Sequence, residues 1–102
     1  MAEILSIATF VVLPGNEEAA LATMRVLMKV LAQRGYSRDL LYRDPKSSEY
    51  VLLRYWKSEE MRRAAAEDPE VLRCWVELSH EVKTVKIFER LDGAFGGQPV
   101  SN

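Results

Sequence analysis

The pattern of apolar residues and turns predicts an α+β fold of the ferredoxin-like type, with the element order βαββαβ. Two observations support this fold. Short runs rich in β-branched residues alternate with longer segments whose apolar residues recur every three or four positions. Residue types that cap helices or form turns separate these segments. Each strand–helix–strand unit crosses to the same side of the sheet, so we expect a four-stranded antiparallel sheet with both helices on one face.

The composition is that of one ordinary globular domain. Of 102 residues, 48% are hydrophobic and 28% are charged, and the formal net charge is −1. The basic residues are spread along the chain, unlike the basic stripe of a nucleic-acid-binding protein. No apolar run reaches the ~20 residues of a membrane-spanning helix, and the first residues lack the pattern of a secretory signal. We therefore expect a cytoplasmic protein without nucleic-acid or membrane partners, with a domain at residues 1–92 and a flexible tail at residues 93–102.

The first strand and the first helix are predicted at residues 4–13 and between Asn16 and Gly35. The strand segment is short, rich in β-branched residues and followed by Pro14 and Gly15, which is typical of a strand buried on both faces. Asn16 is a residue type that caps helices, and two glutamates follow it where the helix dipole favours acids. Apolar residues then recur at three- and four-residue steps and indicate the face that packs on the sheet. They are Ala20, Met24, Leu27, Met28 and Leu31.

The middle of the chain predicts a hairpin followed by a second helix. Residues 40–42 and 49–56 are strand candidates, and the loop between them is rich in turn residues and of hairpin size. Ser58 is expected to cap the helix that follows. Asp68 and Pro69 are expected to break this helix and restart it, with Asp68 as the second cap and Pro69 at the first helical position.

The fourth strand, predicted at residues 82–91, completes a sheet whose inner strands are apolar on both faces. In the first strand Ile4, Ala8, Phe10 and Val12 alternate with Leu5, Ile7, Val11 and Leu13, and in the third Tyr50, Leu52 and Trp56 alternate with Val51, Leu53 and Tyr55. Two helices cover only one face, and an exposed apolar sheet would aggregate. We therefore expect a homodimer in which the two sheets pack against each other.

Arg54 is the most informative polar residue, because it lies in a strand that is expected to be central. A buried guanidinium without an acceptor is costly. It therefore requires a substrate oxygen or another anion, or an ion pair at the dimer interface with a carboxylate such as Asp39 or Glu89. Alternation places Arg54 on the face of Trp56, near the start of the second helix. We predict it as a catalytic donor at the mouth of a pocket.

His80 and Cys74 are the only histidine and cysteine, so we expect no Cys/His metal site and no internal disulfide. Histidines titrate near neutral pH, which makes His80 a candidate catalytic base. It shares the polar side of its helix with Arg73 and Glu77, however, and this position favours a solvated histidine. Cys74 lies beside the apolar stripe of the same helix, where a buried, inert thiol is expected.

Four aromatic residues are candidates for binding a small aromatic or apolar ligand. Trp56 ends a strand and Trp75 lies on the inward stripe of the second helix, so both can line a pocket or fill the core. Tyr42 and Tyr50 offer phenols that can hydrogen-bond a ligand oxygen, although tyrosines are also common in strands for packing. We predict all four as substrate-binding residues.

Four segments together carry the pattern of a protein family: FVVLPGNEE at residues 10–18, GY at 35–36, YWKSEE at 55–60 and PEVLRCW at 69–75. They resemble the antibiotic biosynthesis monooxygenase family of dimeric α+β barrels, and the resemblance covers residues 3–91. It implies an apolar pocket between sheet and helices, and cofactor-independent oxygenation of an electron-rich aromatic, quinol-like substrate. Since that substrate itself supplies the electrons, we expect no cofactor, in line with the lack of flavin, nicotinamide and metal motifs.

The family also includes haem-degrading enzymes, whose motif can be compared residue by residue. That branch resembles this chain at the Trp56 segment, but it places a tryptophan and an axial histidine where this chain has Ala65 and Trp75. Its asparagine in the first strand has no counterpart here, and His80 lies more than one helical turn beyond the expected histidine. We therefore expect no haem degradation. A non-catalytic ligand-binding or interaction barrel of the same fold is the alternative to an enzyme.

Overall fold

The computed structural model describes residues 4–96 and has the predicted ferredoxin-like α+β fold. Its elements are β1 (Ile4–Val12), α1 (Glu17–Gln33), β2 (Ser37–Arg43), β3 (Tyr50–Trp56), α2 (Glu59–Ala66), α3 (Pro69–Ser79) and β4 (Val82–Leu91). The sheet is antiparallel and has the strand order β2-β3-β1-β4. Part of the predicted tail, residues 97–102, lies outside the described residues. No helix within residues 4–96 is long and apolar enough to cross a membrane.

β2 is longer than its apolar pattern predicts. It spans Ser37–Arg43 rather than residues 40–42, because all of its residues pair with β3. The first three of them are polar, so they carry no apolar strand signal, and the ladder to β3 makes them a strand. This extension matters for the site, because it places Asp39 directly opposite Arg54.

The predicted caps of the second helix are confirmed, and that of the first helix is wrong. The hydroxyl of Ser58 accepts a hydrogen bond from the N–H of Met61 at 3.1 Å. The carboxylate of Asp68 caps α3 in the same way, so the helix is split there as predicted. Asn16 stands at the N-cap position of α1, but its side chain makes no capping hydrogen bond. Its backbone, at φ −109° and ψ 11°, is not in the extended conformation that lets a capping side chain reach the N–H groups of the first helical turn.

The two faces of the sheet differ in what covers them. On one face, which we call the helix-side face, β1 and β3 pack against the helices, and burial in β3 alternates residue by residue. Its core comprises Ile4, Phe10, Tyr50, Leu52 and Trp56 with Met24, Leu27 and Leu31 of α1 and Val71, Cys74 and Leu78 of α3. The other face, which we call the open face, carries Leu5, Ile7, Leu40, Tyr42, Val51, Leu53 and Phe88. Both faces of the sheet are apolar, as predicted, and the helices cover one of them.

Asp68 joins three elements at one end of the domain. Its Oδ1 caps α3, while its Oδ2 accepts hydrogen bonds from Tyr36 Oη at 2.8 Å and from Arg34 Nη1 at 2.6 Å. Burial alone would raise the pKa of Asp68, but the hydrogen bonds from Arg34 and Tyr36 outweigh burial and hold the pKa below its ordinary value. The junction ties the end of α1 and the start of β2 to α3, and so fixes α3 over the sheet.

Candidate functional site

A cleft opens between the helix-side face of the sheet and helices α2 and α3. It has two adjoining parts, of about 400 and 310 Å³, which share Ala8, Leu52, Arg54, Trp75 and Ile87. The first, which we call the polar part, is also lined by Ser6, Trp56, Arg62 and Glu89. The second, the apolar part, extends over Phe10, Met24, Leu27, Leu78 and Val82. An apolar cleft with a few polar groups at one end suits a small aromatic ligand.

Arg54 reaches the cleft from the centre of the sheet and is held there by Asp39. Nε and Nη2 of Arg54 both donate to Asp39 Oδ2, at 2.9 and 2.8 Å, and the Asp39 side chain is only 1% exposed. The ion pair with Asp39 that the sequence suggested therefore forms within one chain and not across a dimer interface. The third guanidinium nitrogen, Nη1, makes no hydrogen bond within residues 4–96 and is not sealed from solvent. It is the donor that Arg54 can offer to an oxygen atom in the cleft.

Trp56 forms a fixed wall of the polar part. It is 5% exposed, and its indole Nε1 donates to Ser6 Oγ at 2.9 Å. Ser6 in turn donates to the backbone carbonyl of Glu89, so a chain of hydrogen bonds runs from β3 across β1 to β4. The guanidinium carbon of Arg54 lies 5.6 Å from the centroid of the Trp56 ring, within cation–π range. These contacts fix an aromatic ring beside the donor.

Helices α2 and α3 form the roof of the cleft. Trp75 of α3 is partly buried and borders both parts, so an aromatic ligand can contact its ring. Arg62 of α2 borders the polar part and is paired with Glu59, with 2.9 Å between nitrogen and oxygen. This hydrogen-bonded pair raises the pKa of Arg62 and lowers that of Glu59, which keeps both side chains charged.

Three of the predicted site residues lie away from the cleft. Tyr50 is buried at the far end of β3, where it stacks on Phe10 with the ring centroids 5.5 Å apart. Its hydroxyl donates to the carboxylate of Glu17, which raises the pKa of the tyrosine. Tyr42 lies on the open face and is 56% exposed, and His80 is exposed at the C-cap of α3. The structure brings together only the other three predicted residues, the arginine and the two tryptophans.

The cleft also contains polar residues that sequence reasoning did not assign to it. Ser6 is a small polar residue in an apolar strand, and its place opposite Arg54 in the β1–β3 register becomes visible only once the strands are paired. Arg62 follows Glu59 by three residues, so the two resemble an ordinary ion pair on a solvated helix. For Glu89 the sequence predicts only a candidate ion pair with Arg54 at a dimer interface. Its place beside Ser6 follows from the pairing of β4 with β1, which is irregular at this point and which the sequence alone does not show.

Cys74 is a structural residue, as predicted. It belongs to the buried core, and burial raises the pKa of its thiol, which disfavours the reactive thiolate. Among the described residues, no three His, Cys, Asp or Glu side chains are grouped so that they could hold a metal ion.

The sequence matches no protein-family model and no curated protein, but solved structures match nearly the whole chain. SnoaB, a cofactor-independent oxygenase from Streptomyces nogalater, matches with a TM-score of 0.74 at 18% identity, over 92% of this chain and 98% of its own. Rv0793 from Mycobacterium tuberculosis matches with a TM-score of 0.72 at 18% identity, over 92% and 100%. A candidate antibiotic biosynthesis monooxygenase from Chloroflexus aurantiacus matches with a TM-score of 0.75 at 16% identity, over 98% and 100%. The chain has the fold of the antibiotic biosynthesis monooxygenases, as its sequence segments indicate.

Proposed function

We propose that the protein is a small cofactor-independent monooxygenase that oxidises an aromatic, quinol-like substrate bound in the cleft. The observation that carries this proposal is Arg54, which lines a cleft walled by Trp56 and Trp75 and whose Nη1 makes no hydrogen bond within residues 4–96. A fold shared with the cofactor-independent oxygenase SnoaB supports the same reaction class. The homodimer and the cytoplasmic location that the sequence predicts are part of this proposal.

In the proposed reaction the substrate supplies the electrons that reduce dioxygen. The substrate first loses a proton, and the resulting enolate or phenolate transfers one electron to dioxygen. The two radicals combine to form a peroxide, which then loses water. One oxygen atom thus enters the product and the other leaves as water.

The protein's contribution to this reaction is positioning and charge stabilisation. Arg54 donates from Nη1 to the oxygen atom that gains negative charge, and such a preorganised donor stabilises a transition state more than a ground state. Asp39 holds the guanidinium through its other two nitrogens, so little reorganisation is needed during the reaction. Trp56 and Trp75 contact the substrate ring and keep water away from the developing anion.

The open face supports the proposed homodimer. Leu40, Tyr42 and Phe88 are 41, 56 and 39% exposed, and they extend the partly exposed apolar residues of the central strands into one surface. Monomeric proteins rarely leave so large an apolar surface in water. A second copy packed sheet to sheet would cover it.

Oxygen uptake by the purified protein with a panel of anthrones and hydroquinones tests the proposed activity. Arg54→Lys keeps a positive charge beside Asp39, so the variant should remain folded. Its single ammonium group cannot bind Asp39 and also donate as Nη1 does, so its turnover should be about ten- to a thousandfold lower than that of the wild type. Arg25→Lys alters an exposed arginine of α1 outside the cleft and should keep wild-type turnover. Equal turnover of Arg54→Lys and the wild type would remove Arg54 from the mechanism.

A non-catalytic ligand-binding barrel is the second candidate, and one observation favours it. His80, the only histidine in the sequence and a candidate base, lies exposed outside the cleft. Thermal melting on the same ligand panel separates the two functions. Turnover supports the oxygenase, whereas raised melting temperatures without oxygen uptake support the binding protein.

A further inference from the structure

The cleft contains an acidic side chain, Glu89, whose carboxylate oxygens are free to accept hydrogen bonds. Glu89 is the only acidic residue among those that line the cleft within residues 4–96. Its carboxylate makes no hydrogen bond and no ion pair within this range, since the contact from Ser6 goes to the backbone carbonyl. A carboxylate with open lone pairs beside a ligand cleft is able to accept a proton.

Glu89 lies at the exposed rim of the cleft that Arg54 also lines. The pairing of β4 with β1 is irregular here, between the pairs Ile7–Phe88 and Leu5–Leu91, so the cleft lining rather than simple strand alternation places Glu89 on this side. Ser6 of β1 lies between the two, opposite Arg54 on one side and hydrogen-bonded to Glu89 on the other. Neighbouring strands lie ~4.8 Å apart, which separates the backbones of Glu89 and Arg54 by roughly 10 Å. A substrate ring bound over Ser6 would therefore have the Arg54 donor on one side and the Glu89 carboxylate on the other.

The other charged groups of the cleft already have partners. Arg62 from α2 pairs with Glu59, and Arg54 from β3 pairs with Asp39, while α3 brings no charged residue to the cleft. The pKa of Arg62 is raised chiefly by its hydrogen bond with Glu59, and the negative charge of Glu89 adds a smaller electrostatic contribution. Glu89 is therefore near Arg62 without being bonded to it, and its proton-accepting capacity is left for a ligand.

We propose that Glu89 is the catalytic base of the cleft, and this rests on the proposed function because it assigns the first step of that reaction. An acidic C–H or O–H bond of the substrate breaks, and its proton forms an O–H bond with the Glu89 carboxylate. The electron pair stays on the substrate as an enolate or phenolate, whose oxygen faces Nη1 of Arg54. When the peroxide later loses water, the proton leaves with that water and Glu89 is a carboxylate again.

Anaerobic deuterium exchange isolates this step from oxygenation. Anthrones exchange their methylene protons through the enolate, so the wild-type protein in D₂O without oxygen should raise deuterium uptake above the buffer rate. Glu89→Gln keeps the size of the side chain and removes the base, and it should lower the protein-catalysed exchange about a hundred- to ten-thousandfold. Glu60→Gln, which changes an exposed carboxylate of α2 outside the cleft, should exchange at the wild-type rate.

The melting temperature and a shorter acid distinguish a base from a structural residue. Glu89→Gln should melt at the wild-type temperature, because the Glu89 side chain makes no hydrogen bond and no ion pair within residues 4–96. Glu89→Asp retains a carboxylate at a shifted position and should recover part of the exchange, which a merely structural defect would not allow.

The outcomes separate this proposal from the proposed function. Deuterium exchange by the wild type without oxygen uptake would keep Glu89 as a base and reject the oxygenase. Oxygen uptake that is equal in the wild type and in folded Glu89→Gln would keep the oxygenase and reject the base. If the wild type shows neither deuterium exchange nor oxygen uptake with any anthrone of the panel, both proposals are rejected.

Discussion

Arg54 and Asp39 face each other across the β2–β3 ladder, and two guanidinium nitrogens converge on one carboxylate oxygen, Asp39 Oδ2, at 2.9 and 2.8 Å. The side chains are 10 and 1% exposed, so this ion pair is buried within the subunit. The pair has two consequences. It satisfies a charge that the centre of the sheet would otherwise make costly, and it fixes which nitrogen of Arg54 remains for a ligand.

We expect loss of one partner of this pair to destabilise the fold strongly. Asp39→Ala leaves the Arg54 charge buried without an acceptor, and breaking a buried pair in this way costs about 3–5 kcal/mol. The double variant Asp39→Ala/Arg54→Met removes both charges and should cost less than the sum of the two single variants. Urea unfolding measures the free energy of unfolding of the two single variants and of the double variant. Arg63→Ala, which removes a 78% exposed side chain of an ion pair with Glu59, is the control and should change the unfolding midpoint little.

A charge on the open face should prevent dimerisation. Leu53 lies on the open face in a central strand, so Leu53→Glu would place a carboxylate inside a sheet-to-sheet interface. Such an interface should bury more than ~1,200 Å² in total. Light scattering at low micromolar concentration should give twice the 11.6 kDa chain mass for the wild type and the single mass for the variant. Val76→Glu, on an exposed side chain of α3, should stay dimeric. A monomeric wild type would contradict the sheet-to-sheet arrangement.

We expect the protein not to degrade haem. Ala65 is fully buried, and Trp75 stands at the cleft where the haem-degrading branch has its axial histidine. His80 is exposed outside the cleft, so it is not placed to bind an iron there. Haem titration followed by a reductant should give no spectrum of an opened tetrapyrrole. His80→Ala should behave like the wild type, and a haem signal lost in this variant would mean that the register of the second helix is misread.

The fold was predictable because its main signals are local. The three- and four-residue spacing of apolar residues predicts α1, and runs of β-branched residues predict β1 and β4. The dipeptide Asp68–Pro69 predicts the break between α2 and α3. The start of β2 could not be predicted in this way, since its polar residues form a strand only by pairing with β3. The capping role of Asn16 failed for a related reason, because the backbone conformation before a helix is not encoded by the residue type alone.

The site was predictable only where the local periodicity of a strand or a helix decides which residues face the cleft, and Trp75 on the inward stripe of α3 is the helical case. Arg54 and Trp56 share a face and stand two residues apart, and the structure brings both to the cleft. Tyr50 shares that face too, but six residues of extended strand separate it from Trp56 by roughly 20 Å. Tyr42 lies on a short segment whose face depends on its register with β3. Glu89 needed the pairing of β4 with β1, which no local pattern in the sequence shows.

The hydrogen bonds to Asp68 should make the folded protein less stable at low pH. Hydrogen bonds from Arg34 and Tyr36 outweigh burial and lower the pKa of Asp68 in the folded protein. An aspartate ordinarily titrates near ~3.9 in an unfolded chain. The stabilisation is therefore fully present above this pH and is lost as pH falls through the lower pKa of the folded state.

Asp68→Asn should remove this acid dependence. At neutral pH the variant loses the charged acceptor of Arg34 and Tyr36, and its melting temperature should fall by roughly 4–8 °C, a shift typical of losing one such interaction in a domain of this size. As pH is lowered below ~3.9, the wild type loses the same interaction, so the difference between the two should shrink. Thermal melting from pH 7 to pH 3 measures this difference. Asp92→Asn, on a carboxylate that is 78% exposed, is the control and should follow the wild type at every pH. A difference between Asp68→Asn and the wild type that stays constant down to pH 3 would show that the ionised carboxylate of Asp68 contributes nothing to stability, and that only its capping geometry does.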